Sequence, residues 1–208
     1  SPEAALANRK RPELWRQVAP KAEHTTPKMK FTIDKTMEYL DTNPGRGAVI
    51  MAEYRAAHDI AIRELVERGI PREQIAIMRG GTSGPARRQI ESDFNAGKYK
   101  ILIAGTAAVE TGANLQHNSS FLAHLTTPYT PTMLTQSTAR VWRQGQKSIT
   151  TVLRPVGSPV ERAIEAIVGR KLCETAVSMG GMGAGEREVA RSIVASRGHK
   201  PDDFGAFL

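Results

Sequence analysis

The sequence predicts an α/β protein: a parallel sheet with helices on both faces, followed by a helical C-terminal extension. Three observations carry that expectation. Residues 48–52, 75–78 and 101–104 are apolar at every position rather than at alternate ones, as strands buried on both faces are. Segments of helical length, each with one apolar stripe, stand between these runs. Turn punctuation such as Asn43-Pro44-Gly45 and Asn95-Ala96-Gly97 separates the two kinds of segment. Strands alternating with helices build a parallel sheet, and ligands of such sheets gather at the strands' carboxyl ends.

The elements follow in order. Residues 1–28 read as a linker or arm, broken by prolines at positions 2, 12, 20 and 27. Ile33, Met37 and Leu40 then share one helix face, and Asn43-Pro44-Gly45 ends that helix. The strand at 48–52 leads into a helix over about 55–68 that buries Ala57, Ile60, Ala61 and Leu65 and stops at Gly69. The strand at 75–78 leads into the turn Gly80-Gly81-Thr82, then a helix over 85–94 with Ile90 and Phe94 inward. Further strands are expected at 101–104, 121–125 and 150–153, and further helices at about 132–143 and 158–173. In the last of these, Ile164, Ile167, Val168 and Leu172 share the inner side, and Cys173 after them reads as core or boundary packing. From Met179 the chain is a glycine-rich hinge, a short helix over 186–196 and a loose polar end. The expected division is an arm at 1–28, a lobe at 29–172 and a partly flexible extension at 173–208.

Composition narrows the class. The 208 residues are 40% hydrophobic and 24% charged, as in an ordinary globular chain. No apolar run reaches the ~18 residues that span a bilayer, so no membrane partner is expected. A single cysteine, Cys173, excludes an intramolecular disulfide and fits an intracellular setting. That setting would be cytoplasm or nucleoid, or host cytoplasm for a viral chain. The five histidines show no metal-ligand spacing, and no metal site is predicted. A net charge of +8 points toward a polyanion, nucleic acid first, although charge alone does not establish it.

Two segments carry chemistry. In Gln136-Ser-Thr-Ala-Arg140-Val-Trp-Arg143-Gln-Gly145-Gln146, helical spacing puts Gln136, Arg140 and Arg143 on one face. Two guanidiniums side by side suit a chain of phosphates, though the same pair also fits a solvated basic face. In Gly105-Thr-Ala-Ala-Val-Glu110-Thr-Gly112-Ala-Asn114-Leu115, a glycine-bearing loop follows a buried strand. Its backbone N–H groups could approach a phosphate, and a plain strand-to-helix connection has the same pattern.

Together, in this order and spacing, the segments resemble motifs V and VI of superfamily-two helicases, most of all the Swi/Snf-related DNA translocases. Gly112-Ala113-Asn114-Leu115 is similar to the close of motif V. Gln136, Arg140, Arg143, Gly145 and Gln146 match the spacing of motif VI, and Tyr129-Thr130-Pro131 stands at the family's aromatic-polar-proline step. The likeness extends over roughly residues 27–171. It includes the lead-in at 26–30, the strand at 48–52 and the run Gly80-Gly81-Thr82-Ser83, Arg88, Phe94-Asn95. It closes at Ser158-Pro-Val-Glu161. Two positions depart: Glu110 stands where a second glycine is usual, and Tyr129-Thr130 replaces tryptophan-asparagine. A carboxylate at 110 would weaken anion binding in that loop. These departures resemble a distant viral or bacterial relative more than a eukaryotic remodeller.

The resemblance implies a RecA-like lobe, the second of two in an ATP-driven DNA motor. Arg140 and Arg143 would be the catalytic arginines, with Gln136, Gly112 and Asn114 beside them at the nucleotide. Gly80, Thr82, Arg88 and Thr106 would meet the DNA backbone, duplex rather than single strand. The phosphate-cradling G-x-x-x-x-G-K-[ST] loop is absent from the sequence, as is an apolar strand ending in an Asp-Glu pair. ATP and Mg²⁺ would therefore be held mainly by an N-terminal RecA-like lobe, in cis or in trans. The alternatives are a non-catalytic nucleic-acid-binding domain of the same shape, or a lobe that completes another protein's ATPase.

Overall fold

The computed structural model describes residues 25–105 and 112–178. Thr26 starts helix α1 (Pro27–Thr42): its hydroxyl accepts from the Met29 N–H, and Pro27 occupies the first turn, where a missing N–H costs nothing. The last two residues of the expected arm are thus the first turn of a helix. Strand β1 (Ala48–Met51) follows, then helix α2 (Arg55–Glu67), a 3₁₀ turn (Arg72–Gln74) and strand β2 (Ile75–Met78). Helix α3 (Gly84–Asn95), capped by Ser83, leads to β3 (Ile101–Ala104). After β4 (Phe121–His124) come the short helix α4 (Pro131–Thr138), β5 (Thr151–Leu153) and helix α5 (Pro159–Ser178).

All five strands are parallel, in the order β2-β3-β1-β4-β5. Ala48 lies beside Ile101 and Val49 beside Leu122, so successive side chains of adjacent strands fall in common rows. Alternation along each strand then divides the core in two. Ile50, Ala52, Ile75, Ile101 and Ile103 pack with Ile33 of α1 and Ala61 and Leu65 of α2. Val49, Met51, Met78, Leu102 and Leu122 pack on the other side with Phe94 of α3 and with Ala113, Leu115 and Val141. This is the RecA-like α/β architecture expected, with helices on both faces. Burial of side chains such as Phe94 and Leu65, both at 0% exposure, stabilises by about 1.5–3 kcal/mol each.

Gly47 shows how tightly the second face closes. A Cβ there would lie 2.5 Å from the Asn118 side chain and 2.8 Å from the Phe94 ring, so only glycine fits.

Two helices differ from expectation. The helix placed at about 132–143 ends at Thr138. Its sequence, Pro-Thr-Met-Leu-Thr-Gln-Ser-Thr, is poor in helix formers, and the Thr135 and Ser137 hydroxyls bond back to carbonyls of the preceding turn. Helix α5 runs past Cys173 to Ser178, and Ile167, read as core, is 46% exposed, while Val168 and Leu172 are buried. The glycine-rich hinge and final helix of the expected extension lie outside the described residues.

Candidate nucleotide and nucleic-acid site

Two clusters stand apart on this frame, and the first sits at the carboxyl end of β2. There Gly80-Gly81-Thr82 forms a closed turn. The Thr82 N–H donates to the Arg79 carbonyl and the Arg79 N–H to the Thr82 hydroxyl, both at 2.9 Å. Arg87, one turn into α3, reaches back: Nε donates to the Thr82 carbonyl at 2.8 Å and Nη2 to the Gly80 carbonyl at 3.0 Å. Space around Gly80 and Gly81 is open, and Arg88 lies exposed on α3 with its guanidinium near Gly84. The neighbouring pair Arg87-Arg88 therefore divides its work, one residue holding the turn and one facing solvent.

The second cluster lies on the α3 flank of the sheet. From Gly112, whose φ of +100° suits glycine, the chain runs back along α3. Asn114 is held from three sides. Its N–H donates to Glu91 Oε1 at 2.8 Å, its carbonyl accepts from Asn95 Nδ2 at 2.7 Å, and its side-chain oxygen accepts from Arg143 Nη1 at 2.5 Å. One residue on, the Leu115 N–H donates to the Arg140 carbonyl at 3.0 Å. The two chemistry-bearing segments thus meet directly, through one side-chain and one backbone hydrogen bond.

The way they meet differs from the helical face expected. Beyond Thr138 the turns tighten, with Arg140 N–H bonding to Ser137 and Val141 N–H to Thr138, three residues back. Gln136 is exposed on α4, Arg140 is half-buried in the tightened turn, and Arg143 is exposed in a bend. Asn114, rather than helix phase, positions Arg143. Gln146 fixes the bend: Nε2 donates to the Ser119 and Val141 carbonyls at 2.7 and 2.9 Å, and Oε1 accepts from Arg46 and Ser148. Gly145, with φ +95°, makes the sharp return. Thr106 and Glu110 fall outside the described residues.

Titratable groups lie near the strand ends and between the helices. His58, buried at 2% exposure, sets Nε2 against the Ala52 carbonyl at 2.5 Å and receives Arg79 Nε–H on Nδ1 at 3.3 Å. Burial first, with the Arg79 charge adding to it, holds its pKa below the usual value against the Ala52 hydrogen bond and the nearby Asp59 and Glu53 carboxylates. His124, at the end of β4, lies 3.3 Å from the Ser137 hydroxyl, and burial together with Arg154 and Lys28 drives its pKa to about 3. Glu161 ties α5 to α1 and to the loop after β4. Its carboxylate accepts from Lys28 at 2.5 Å, the Thr127 hydroxyl at 3.0 Å and the Gly157 N–H at 2.7 Å. Burial opposes the Glu161 charge, yet these donors keep its pKa below the usual carboxylate range. Tyr54 and Tyr129, both exposed, bring their hydroxyls within 3.4 Å of one another, and that contact, with burial, raises the Tyr129 pKa to about 12. Among the described residues no group of three His, Cys, Asp or Glu side chains could hold a metal ion, and no helix is long and apolar enough to cross a membrane.

Residues 32–145, more than half of the chain, match the family described as the helicase conserved C-terminal domain. The chain belongs to this family. Solved structures agree on the fold. The C-terminal part of the Fun30 ATPase domain superposes with a TM-score of 0.58 at 18% identity, over 70% of this chain and 47% of that one. The C-terminal domain of the DEAD-box protein Dbp5 gives 0.53 at 16% identity, over 67% and 77%. The E. coli DEAD-box protein SrmB, solved bound to regulator of ribonuclease activity A, gives 0.52 at 15% identity, over 69% and 79%. The chain spans about half the length of the Fun30 structure. No curated protein matches by sequence.

Within this helicase C-terminal lobe, several holding residues escaped sequence reading. Arg87 and Arg88 are identical in type and adjacent, so nothing local tells which one turns inward. Arg79, His58, Glu91 and Asn95 contact residues 19 to 23 positions away, or across α2 and β2, and only the fold brings them together. Asn95 belongs to the Phe94-Asn95 step of the family pattern, whereas its grip on Asn114 exists only in the folded chain.

Proposed function

We propose that this lobe is the second motor lobe of an ATP-dependent DNA translocase or helicase. In this reading Arg140 and Arg143 stabilise charge on the phosphoryl group transferred in a cleft shared with a first RecA-like lobe. Arginines in that role contribute a factor of about 10³–10⁵ in rate. The observation that carries the reading is the direct contact of Arg143 with Asn114, inside a segment matched to the helicase family. Nη1 is engaged there, and a guanidinium has further N–H donors to offer an anion. Asn114 thus serves the nucleotide site by aiming Arg143, while Gln136, exposed at the mouth of the same segment, and Gly112 complete that edge.

ATP would meet this lobe through donors only. Arg140 and Arg143 suit its phosphates, whereas Mg²⁺ needs oxygen ligands that the reading assigns to the first lobe. The turn at Gly80 and Thr82, with Arg88 and Thr106, would take backbone phosphates of a DNA duplex. Movement would follow from opening and closing of the two lobes, with those phosphates as handholds. The Swi/Snf affinity rests on the motif pattern, and a bacterial or viral intracellular source is part of the same reading. A second reading, an RNA helicase lobe, is favoured by the DEAD-box proteins among the similar structures.

Fluorescent DNA and RNA duplexes of equal length, titrated with the 208-residue chain across salt concentrations, separate these readings. Sequence-independent DNA binding that weakens steeply with salt is expected. Preference for RNA supports the second reading. Salt-insensitive or strongly sequence-dependent binding contradicts both. The chain alone should hydrolyse ATP at the background rate, and DNA-stimulated turnover lost on Arg143→Ala in this chain alone would overturn the division of labour between lobes.

A further inference from the structure

We propose that His58 is a positioning residue for the Gly80–Thr82 turn, and that nucleic-acid binding at this turn requires the neutral imidazole. The inference rests on the reading of that turn as a phosphate-backbone contact. Its own content is the path by which the turn is held. The Ala52 carbonyl is an acceptor only, so at 2.5 Å it demands a proton on His58 Nε2. That leaves a lone pair on Nδ1, which receives Arg79 Nε–H at 3.3 Å. The same guanidinium reaches Asp59 with Nη2 at 2.7 Å. Arg79 is the first residue of the turn: its N–H and carbonyl both bond to Thr82, and Gly80 follows it directly. His58 therefore joins three elements, the end of β1, helix α2 and the exit of β2, at the root of the turn.

A second proton on His58 has one place to go, Nδ1, and it replaces the acceptor there with a donor. Arg79 Nε–H then meets an N–H and a second positive charge. The charged groups around the ring are Asp59 on α2, Glu53 beyond β1 and Arg79 beyond β2. The two carboxylates ease the protonated state but supply no acceptor at Nδ1, so Arg79 turns away and the turn loses its anchor to α2. The sign of the effect is unusual. Acidification ordinarily strengthens nucleic-acid binding by a basic protein, because protonated histidines add positive charge. Here binding should weaken as pH falls below the ordinary histidine range, by at most about tenfold per pH unit for one linked proton.

The test is the affinity of the full chain for a mixed-sequence DNA duplex at constant ionic strength, from about pH 7.5 down to about pH 5. Wild type should weaken severalfold toward the acid end of this range, by no more than about tenfold per pH unit. His58→Gln offers an acceptor toward Arg79 and a donor toward Ala52 without titrating. It should bind within about threefold of wild type at the upper pH and lose the acid weakening. His58→Leu should bind about tenfold more weakly at every pH. Should His58→Leu fail to fold, Arg79→Ala removes the link from its partly exposed side and should show the same weak, pH-independent binding. Parallel pH profiles for wild type and His58→Gln would overturn the inference and leave the lobe reading intact. Binding by no variant at any pH would overturn the lobe reading, and this inference with it.

Discussion

The two faces of the sheet are built by different means. On one, helices α1 and α2 lay apolar stripes across Ile50, Ile101 and Ile103, and their backbones satisfy themselves. On the other, among the described residues, α3 is the one full helix, and irregular chain around 112–120 and 139–148 adds to the cover. Buried irregular backbone needs partners, and side-chain amides supply them. Asn118 donates to the Phe94 carbonyl at 2.7 Å and accepts the Gly47 N–H on its own carbonyl, Asn95 bonds Asn114, and Gln146 bonds Ser119 and Val141. The difference teaches where function can be placed. A helix-covered face presents only side chains, whereas the irregular face holds Asn114, Arg140 and Arg143 in positions no helix offers.

The largest effect expected from breaking this arrangement is Phe94→Ala. The ring is fully buried, packs against Gly47 and anchors the irregular cover, so the loss should be about 3–5 kcal/mol in denaturant unfolding. Leu65→Ala on the helical face should cost no more than this. A clearly larger cost there would put the weaker link on the wrong face.

Acid comes next. His124 has its pKa lowered to about 3, below its unfolded value, so the unfolded chain takes up a proton first as pH falls. Stability should therefore drop from about pH 6.5 downward, by at most about 1.4 kcal/mol per pH unit. Glu161, with its pKa also lowered, adds a loss of the same sign as pH falls through the carboxylate range. His124→Gln should flatten the upper part of that profile in thermal melts. An unchanged profile would mean the proton is taken up elsewhere.

Asn118→Ala should cost about 0.5–1.5 kcal/mol, since it removes one of the two donors to the Phe94 carbonyl and leaves the Gly97 N–H as the other. Thr36→Val on α1 removes a hydroxyl that bonds only to its own helix at Thr32, and should be felt far less. Ile167→Ala sits at the small end, within about 0.5 kcal/mol, because the side chain is 46% exposed.

What could be read in the sequence follows the same division. Strands with apolar residues at every position, such as 48–51 and 101–104, signalled their burial on both faces, and the helix stops at Asn43-Pro44-Gly45 and Gly69 marked real boundaries. Periodicity failed where the chain leaves regular structure. Gln136, Arg140 and Arg143 have helical spacing, yet three threonines and a serine in α4 end the helix before the arginines. Ile167 shows a smaller failure of the same kind: helical phase alone put it with Val168 and Leu172, and both neighbours are buried while it is not. His58 gave no signal at all, since its partners Ala52 and Arg79 come from two strand ends.

The most direct test of the central claim is ATP turnover by this lobe combined with a first RecA-like lobe, with and without DNA, for wild type, Arg140→Ala and Arg143→Ala. The account predicts a loss of DNA-stimulated turnover of about 10³-fold or more for each arginine. Melting temperature and DNA affinity should stay near wild type, because Arg143 is exposed and truncating it opens no cavity. Lysine should rescue neither position, since a point charge cannot reproduce the planar fork. An Arg143→Ala lobe that unfolds while sparing turnover per folded molecule would contradict the claim, and would make the contact with Asn114 a structural one.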